Sequence, residues 1–180
     1  MISHLPGGDK FSRKVPDGDE RQRLVCGDCG WVHYENPKIV VGVVAEWQGK
    51  ILMCRRNIEP RKGFWTIPAG FMEENETTEQ GAAREAWEEA HADLTLIDLL
   101  AVYNIPRISQ VQLIYRARLN TADVRPGVES METELMELGD IPRDQLAFPS
   151  VTWALDQFAE VRGKTGIAPF SNPPGDLGNM

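Results

Sequence analysis

The sequence predicts an α/β protein in which a mixed sheet lies between helices, preceded by a small cysteine-bearing β module. Two β-rich runs, Lys38–Trp47 and Lys50–Arg56, meet at Gln48-Gly49 as a hairpin. A capped helical segment, Thr77–Ala90, follows a short strand, and a second amphipathic segment, Val151–Val161, follows the last of the strands. Strands interleaved with two such helices are most simply accommodated as a sheet covered on both faces.

At 180 residues and 42% hydrophobic, the chain can build one well-cored domain and a small appendage. No apolar run reaches the ~18 residues of a membrane span. Met1–Lys10 lacks the basic and apolar regions of a secretory leader, so the expectation is a cytoplasmic protein with no membrane partner. Net charge is −8, from 27 acidic and 19 basic residues, which disfavours a nucleic-acid backbone as partner. A small nucleotide accompanied by metal ions stays compatible, because the cations bridge two sets of negative charge. The three cysteines, Cys26, Cys29 and Cys54, are too few for a disulfide framework, and the Cys26-x-x-Cys29 pair points to metal or redox use in a reducing compartment.

Taken in order, residues 1–36 are polar and glycine-rich, with turn signals at Pro6-Gly7-Gly8-Asp9 and Pro16-Asp17-Gly18-Asp19. The main domain is expected over 37–162. Within it Cys54 reads as a small buried residue, and Gly63–Phe71 as a short strand running into a glycine turn. Leu94–Asn104 and Val111–Leu119 follow as strands, joined through Ile105-Pro106-Arg107-Ile108, and Thr133–Leu138 as a further one. Ile141–Leu146 reads as a short helical turn with a proline near its start. Residues 163–180 are rich in Gly, Pro, Asn and Asp and predict a flexible tail.

The helix at 77–90 carries the chemistry. Thr77 is placed to cap it and Gln80, three residues on, to complete a capping box. At ~100° per residue, Glu85, Glu88 and Glu89 share one face while Ala82, Ala83, Ala86 and Ala90 gather on a neighbouring one. Like charges at this spacing repel by a few tenths of a kcal/mol per pair. A solvated acidic face would explain them blandly; a hard divalent cation shared with substrate phosphates would explain them functionally.

Gly70, five residues, Glu76, seven residues, then Arg84-Glu85-Ala86-Trp87-Glu88-Glu89 resembles the signature of the Nudix hydrolases. One position departs from it: His91 stands where that signature ends its helix with glycine, a left-handed cap that histidine tolerates at some cost. The resemblance implies a three-layer α/β/α sandwich with a mixed sheet. It also implies hydrolysis of a nucleoside diphosphate linked to another moiety, giving a nucleoside monophosphate and a phosphorylated remainder. Mg²⁺ or Mn²⁺ would be held by Glu85, Glu88, Glu89 and the backbone carbonyl of Gly70, with Arg84 and Glu76 orienting the carboxylates. The general base is either a helix glutamate or an acid of a distal loop, where Glu129 and Glu132 are the candidates and Glu132 the one carried forward.

Cys26-Gly27-Asp28-Cys29-Gly30-Trp31 resembles one knuckle of the zinc ribbon that precedes some Nudix domains, with the other C-x-x-C pair missing. Structural zinc takes four ligands, and beyond Cys26 and Cys29 only His4 and His33 are available, so the segment reads either as a degenerate ribbon or as one that still binds Zn²⁺. Exposed Trp31 and Tyr34 in such a module would gain from cover by a second copy, so a homodimer is a candidate.

The likeness runs from Val25 to Phe158 and is nearest to ADP-ribose and FAD pyrophosphatase-like members. Pro106, fifteen residues after His91, matches the placement associated with ADP-ribose hydrolysis. Trp65, Tyr103 and Tyr34 are candidates to stack on adenine or flavin and Arg107 to meet a phosphate. A nucleoside triphosphate pyrophosphatase and a non-catalytic ligand sensor are the competing readings.

Overall fold

The computed structural model describes residues 10–179. His4, considered above as a zinc ligand, lies outside them. The chain divides into two compact units, Met1–Asn36 and Pro37–Met180. Among the described residues no helix is long and apolar enough to cross a membrane.

The smaller unit is a three-stranded antiparallel sheet of β1 (Phe11–Lys14), β2 (Arg23–Cys26) and β3 (Val32–His33). Its knuckle is closed by backbone: the Gly30 N–H donates to the Cys26 carbonyl at 3.0 Å and the Cys26 N–H to the Trp31 carbonyl at 2.8 Å. Phe11 meets Trp31 edge-on, with ring centroids 6.1 Å apart. Val25 is its one buried apolar residue among those described. A unit this small ordinarily needs a metal, a disulfide or a partner to hold together.

The larger unit is built on a seven-stranded mixed sheet. Its main path runs β10 (Ser130–Glu137), β5 (Lys50–Arg56), β4 (Lys38–Trp47), β9 (Gln110–Leu119), β8 (Leu94–Ile105). β4 and β9 are parallel and the other pairs antiparallel. β4 and β5 pair only beside their hairpin turn, at Glu46↔Ile51 and Trp47↔Lys50, and then splay. The chain from 65 to 71 enters the gap as β6 (Trp65–Thr66), on β5, and β7 (Ala69–Phe71), on β4. This wedge brings the backbone of Gly70 under the acidic helix.

Side chains alternate across the sheet with the period of two that strands impose. Val41, Val43, Ala45, Leu52, Cys54, Tyr115 and Ala117 face helix α1 (Thr78–Ala90), which meets them through Ala82, Ala86 and Ala90. Val44, Ile51, Met53 and Ile114 face helix α2 (Pro149–Val161), which answers with Trp153, Leu155 and Phe158. The result is the three-layer α/β/α sandwich. Cys54 is buried, as its place in β5 demands.

Within the segment expected as a flexible tail from 163, Met180 lies outside the described residues and Phe170 meets β8, the strand at the end of the main path. Phe170 pairs with it: the Val102 N–H donates to the Phe170 carbonyl at 2.9 Å, and the Phe170 N–H to the Leu100 carbonyl at 2.8 Å. The segment is poor in apolar residues, but it satisfies an edge that would otherwise stand open.

Candidate active site

α1 begins as its sequence dictates. Thr77 accepts the Gln80 N–H at 3.2 Å while the Gln80 side chain accepts the Thr77 N–H at 2.8 Å, completing the capping box. It ends at His91, whose φ of 48° is left-handed and whose N–H donates to the carbonyls of Ala86 and Trp87. Because the helix meets the sheet through alanines, its axis lies close, and the neighbouring face carries Glu85 and Glu89 inward to 9% and 6% exposure. Glu88 remains half exposed.

Arg84 organises these carboxylates. Its guanidinium donates to both oxygens of Glu76 (3.0 and 2.8 Å), to Glu85 Oε1 (2.8 Å), to Glu88 Oε2 (2.9 Å) and to the Phe71 carbonyl (3.0 Å). That uses the planar fork of donors that lysine lacks. Glu76, held by Arg84 and by the Glu73 N–H, has its carboxyl pulled down to about 2. Burial pushes Glu85 up against the pull of Arg84. Burial also drives Glu89 up to about 8, opposed by the Ala69 N–H at 3.2 Å and assisted by the charge of Glu85.

Gly70 is an ordinary extended residue of β7, paired with Val41, rather than the turn expected from sequence. Its bare backbone lies against the Glu85 carboxylate, which would have to move to admit a Cβ at this position. The site is thus a pair of buried, reluctantly ionised carboxylates against bare backbone, with a third, more exposed carboxylate at its rim. Among the described residues no three acidic, His or Cys side chains converge on one point, because Arg84 holds Glu85 and Glu88 while Ala69 holds Glu89. The donor set of oxygen ligands without histidine or available thiolate fits a hard divalent cation such as Mg²⁺ or Mn²⁺. Such a cation would relieve the cost of ionising Glu89 and Glu85 where they are buried.

These carboxylates form one wall of a cleft of about 1150 Å³, whose lining also includes Arg56, Arg107, Glu129, Phe148 and Ser150. Residues 36–159 match the NUDIX domain family and residues 7–35 the family described as Nudix N-terminal. The chain belongs to the Nudix hydrolases. A solved Nudix hydrolase from Nitrosomonas europaea is 43% identical and superimposes with a TM-score of 0.85 over 90% of this chain and 93% of that one. An ADP-ribose pyrophosphatase of Methanocaldococcus jannaschii is 30% identical over 119 residues, 64% of this chain and 69% of the archaeal protein. The NAD-capped RNA hydrolase NudC of Vibrio cholerae is 31% identical over 105 residues, and this Nudix chain matches 38% of its length.

The Nudix fold does not gather all the residues expected from sequence. Arg107 lines the cleft, on the one-turn helix Pro106–Ile108. Trp65 and Tyr103 do not: they are core residues. Trp65 is 6% exposed with Arg55 over its ring at 5.9 Å, and fully buried Tyr103 donates its hydroxyl to Gln157 at 2.6 Å. Both belong to the core cluster beneath α2, and neither lines this cleft. Tyr34 is exposed in the ribbon, with Arg23 over its ring at 5.1 Å.

Glu132 pairs with Arg55 at 3.3 Å on β10, outside the cleft, whereas Glu129 lines it. A bulge between Ser130 and Glu132 and the hold of Asn57 on the Glu129 carbonyl at 2.8 Å separate their fates. Sequence reasoning passed over Arg56 and Ser150. Strand parity would have found Arg56, which follows Leu52 and Cys54 at the α1-facing side of β5. Its Nε donates to the Pro60 carbonyl at 2.9 Å and its guanidinium lies 5.1 Å over Phe148.

In the ribbon the Cys26 thiol sits below its ordinary range because the N–H groups of Cys29 and Asp28 face it. Among the described residues no further His, Cys, Asp or Glu side chain, His33 included, joins the thiols of Cys26 and Cys29 in a metal-holding group, whereas a structural zinc takes four ligands.

Proposed function

We propose that the protein is a divalent-cation-dependent pyrophosphatase acting on a nucleoside diphosphate linked to a second moiety, with ADP-ribose or FAD as substrate and AMP as one product. The observation that carries this reading is the burial of Glu85 and Glu89 against the bare backbone of Gly70, in the wall of a cleft large enough for a dinucleotide-sized ligand. The name of the archaeal relative supports ADP-ribose as the first substrate to try.

Glu85, Glu88, Glu89 and the Gly70 carbonyl would hold the Mg²⁺ or Mn²⁺. The bound cation supplies charge neutralisation of the diphosphate and a lowered pKa for water at the reacting phosphorus. Arg84 keeps Glu85 and Glu88 in place and Glu76 keeps Arg84 in place, so both are positioning residues. Arg56, anchored by Pro60 and Phe148, offers its remaining donors to a phosphate oxygen. Glu129, reaching the cleft from the loop before β10, accepts the proton of the attacking water. The new bond joins water oxygen to phosphorus, and the bridging P–O bond breaks to leave the two monophosphates.

The test is hydrolysis of ADP-ribose, FAD, NADH and dGTP with Mg²⁺ or Mn²⁺ by the full chain and by Glu89→Gln and Glu129→Gln. AMP released from ADP-ribose or FAD, and lost in both variants, supports the reading. Preferential release of pyrophosphate from dGTP overturns the substrate class, and tight binding without turnover makes the protein a sensor.

A further inference from the structure

The segment after α2 lies beyond the residues that match the Nudix family, yet it reaches the cleft. From Phe170 the chain runs alongside β8, and Asn172 then takes the place of a strand residue. Its Oδ1 accepts the Asn104 N–H at 2.8 Å, and its Nδ2 donates to the Asn104 carbonyl at 2.9 Å and to the Asp176 carbonyl at 2.9 Å. Gln157 of α2 donates to the Ser171 carbonyl at 3.0 Å. The Gly178 N–H donates to Asp176 Oδ1 at 2.9 Å, which closes the final turn. These bonds make 170–178 a fastened strap.

The strap delivers Gly178 onto Ile105. A Cβ at Gly178 would stand 2.8 Å from Ile105 Cδ1 and 3.4 Å from Trp153, and the φ of 71° is one that glycine adopts without strain, so the backbone packs directly on Ile105. Ile105 immediately precedes the turn that carries Arg107, and Gly178, Ile105 and Arg107 all line the cleft. Register fixes how far this end is from the acidic helix. Phe71, Val40, Gln112 and Tyr103 stand in one row across β7, β4, β9 and β8. Three strand spacings, about 14 Å, therefore separate the Gly70 strand from the strand on which the strap rests. A ligand touching both must extend well beyond its diphosphate.

The chemistry at the strap end suits a flat heteroaromatic ring. Ile105, Ile114 and Val151 are nearly buried and give an apolar floor. Gln110 and Gln112 project from the same side of β9 as Ile114, and their amides carry both donors and acceptors for the edge of a base.

We propose that the strap Phe170–Gly178 is a specificity-determining wall of the cleft, which fixes Ile105 and the Arg107 turn and forms the subsite for the nucleobase of a nucleoside monophosphate moiety. The proposal rests on the pyrophosphatase reading for the identity of the moiety, and its test does not require turnover. Calorimetric binding of AMP, and separately of methylenediphosphonate with Mg²⁺, is measured for the full chain and for a chain ending at Asn172, which keeps the Phe170 pairing. The expected result is AMP affinity weakened about tenfold and diphosphonate affinity unchanged within twofold.

Equal AMP affinity in the two proteins, parallel weakening of both ligands, or no AMP binding by the full chain overturns the proposal. Should the shortened chain lack a cooperative melt, Gly178→Val in the full chain is put through the same pair of titrations, where the same outcomes support or overturn it. Failure of the pyrophosphatase reading shows separately, as absence of ADP-ribose and FAD turnover by a full chain that still binds AMP.

Discussion

The two helices have equal length, 13 residues, and cover opposite faces of one sheet, but they bury opposite kinds of side chain. α2 contributes Trp153, Leu155 and Phe158 to the core. α1 contributes alanines and, beside them, two carboxylates. Apolar burial stabilises at about 25 cal/mol per Å², whereas a buried carboxylate costs stability unless paired. α2 therefore holds the fold, and α1 holds a site at some expense to the fold.

This contrast can be broken most sharply at Glu89. Glu89→Gln is expected to lower kcat for the preferred substrate about a thousandfold, the scale of losing one electrostatic stabiliser, while the Tm of the metal-free protein stays level or rises. A fall in Tm with activity retained would reverse the assignment. On the other face, Phe158→Ala should cost about 3–5 kcal/mol in urea unfolding, with the kcat of the folded protein preserved.

Arg84→Lys keeps a charge but not the fork, so activity should fall about 10- to 100-fold, with the loss in kcat rather than KM. The pH dependence follows from Glu89. Its carboxyl ionises near the ordinary glutamate value when unfolded and at about 8 when folded, so the folded state binds the extra proton between those values. Metal-free stability should then fall as pH rises from about 4.5 towards 8. Mg²⁺ should raise Tm more at pH 8 than at pH 5.5, and an equal rise at both would disconnect Glu89 from the cation. The smallest effect is at the helix end: His91→Gly should stabilise by about 0.5–1 kcal/mol by relieving the left-handed cap, less whatever the His91 contact with the Arg125 carbonyl contributes.

The contrast between the helices was largely legible in sequence because it rests on local rules. Thr77 and Gln80 cap α1 through neighbours three residues apart, and alanine and glutamate separate onto two faces by helical period alone. β4, β5, β8 and β9 were visible through composition and alternation, to within a residue or two at their ends. Legibility failed where non-local pairing decides. Trp65 and Tyr103 looked like ligand-stacking aromatics because nothing near them in sequence says which way their strands face the core. Glu129 and Glu132 could not be told apart until a bulge on β10 sent one to the cleft and the other to Arg55.

The sequence by itself determined the α/β class, the capped acidic helix and its family, since each is encoded in residue periodicity and spacing along one continuous stretch of chain or a succession of them. Only the tertiary structure decided that the Gly70 backbone lies against Glu85, that Arg84 ties four separate groups, and that the polar C-terminal segment runs along β8 to the cleft. The physical reason is the same in each case. Close approach and edge pairing join residues far apart in the chain, and their worth depends on which groups the fold leaves buried or unpaired.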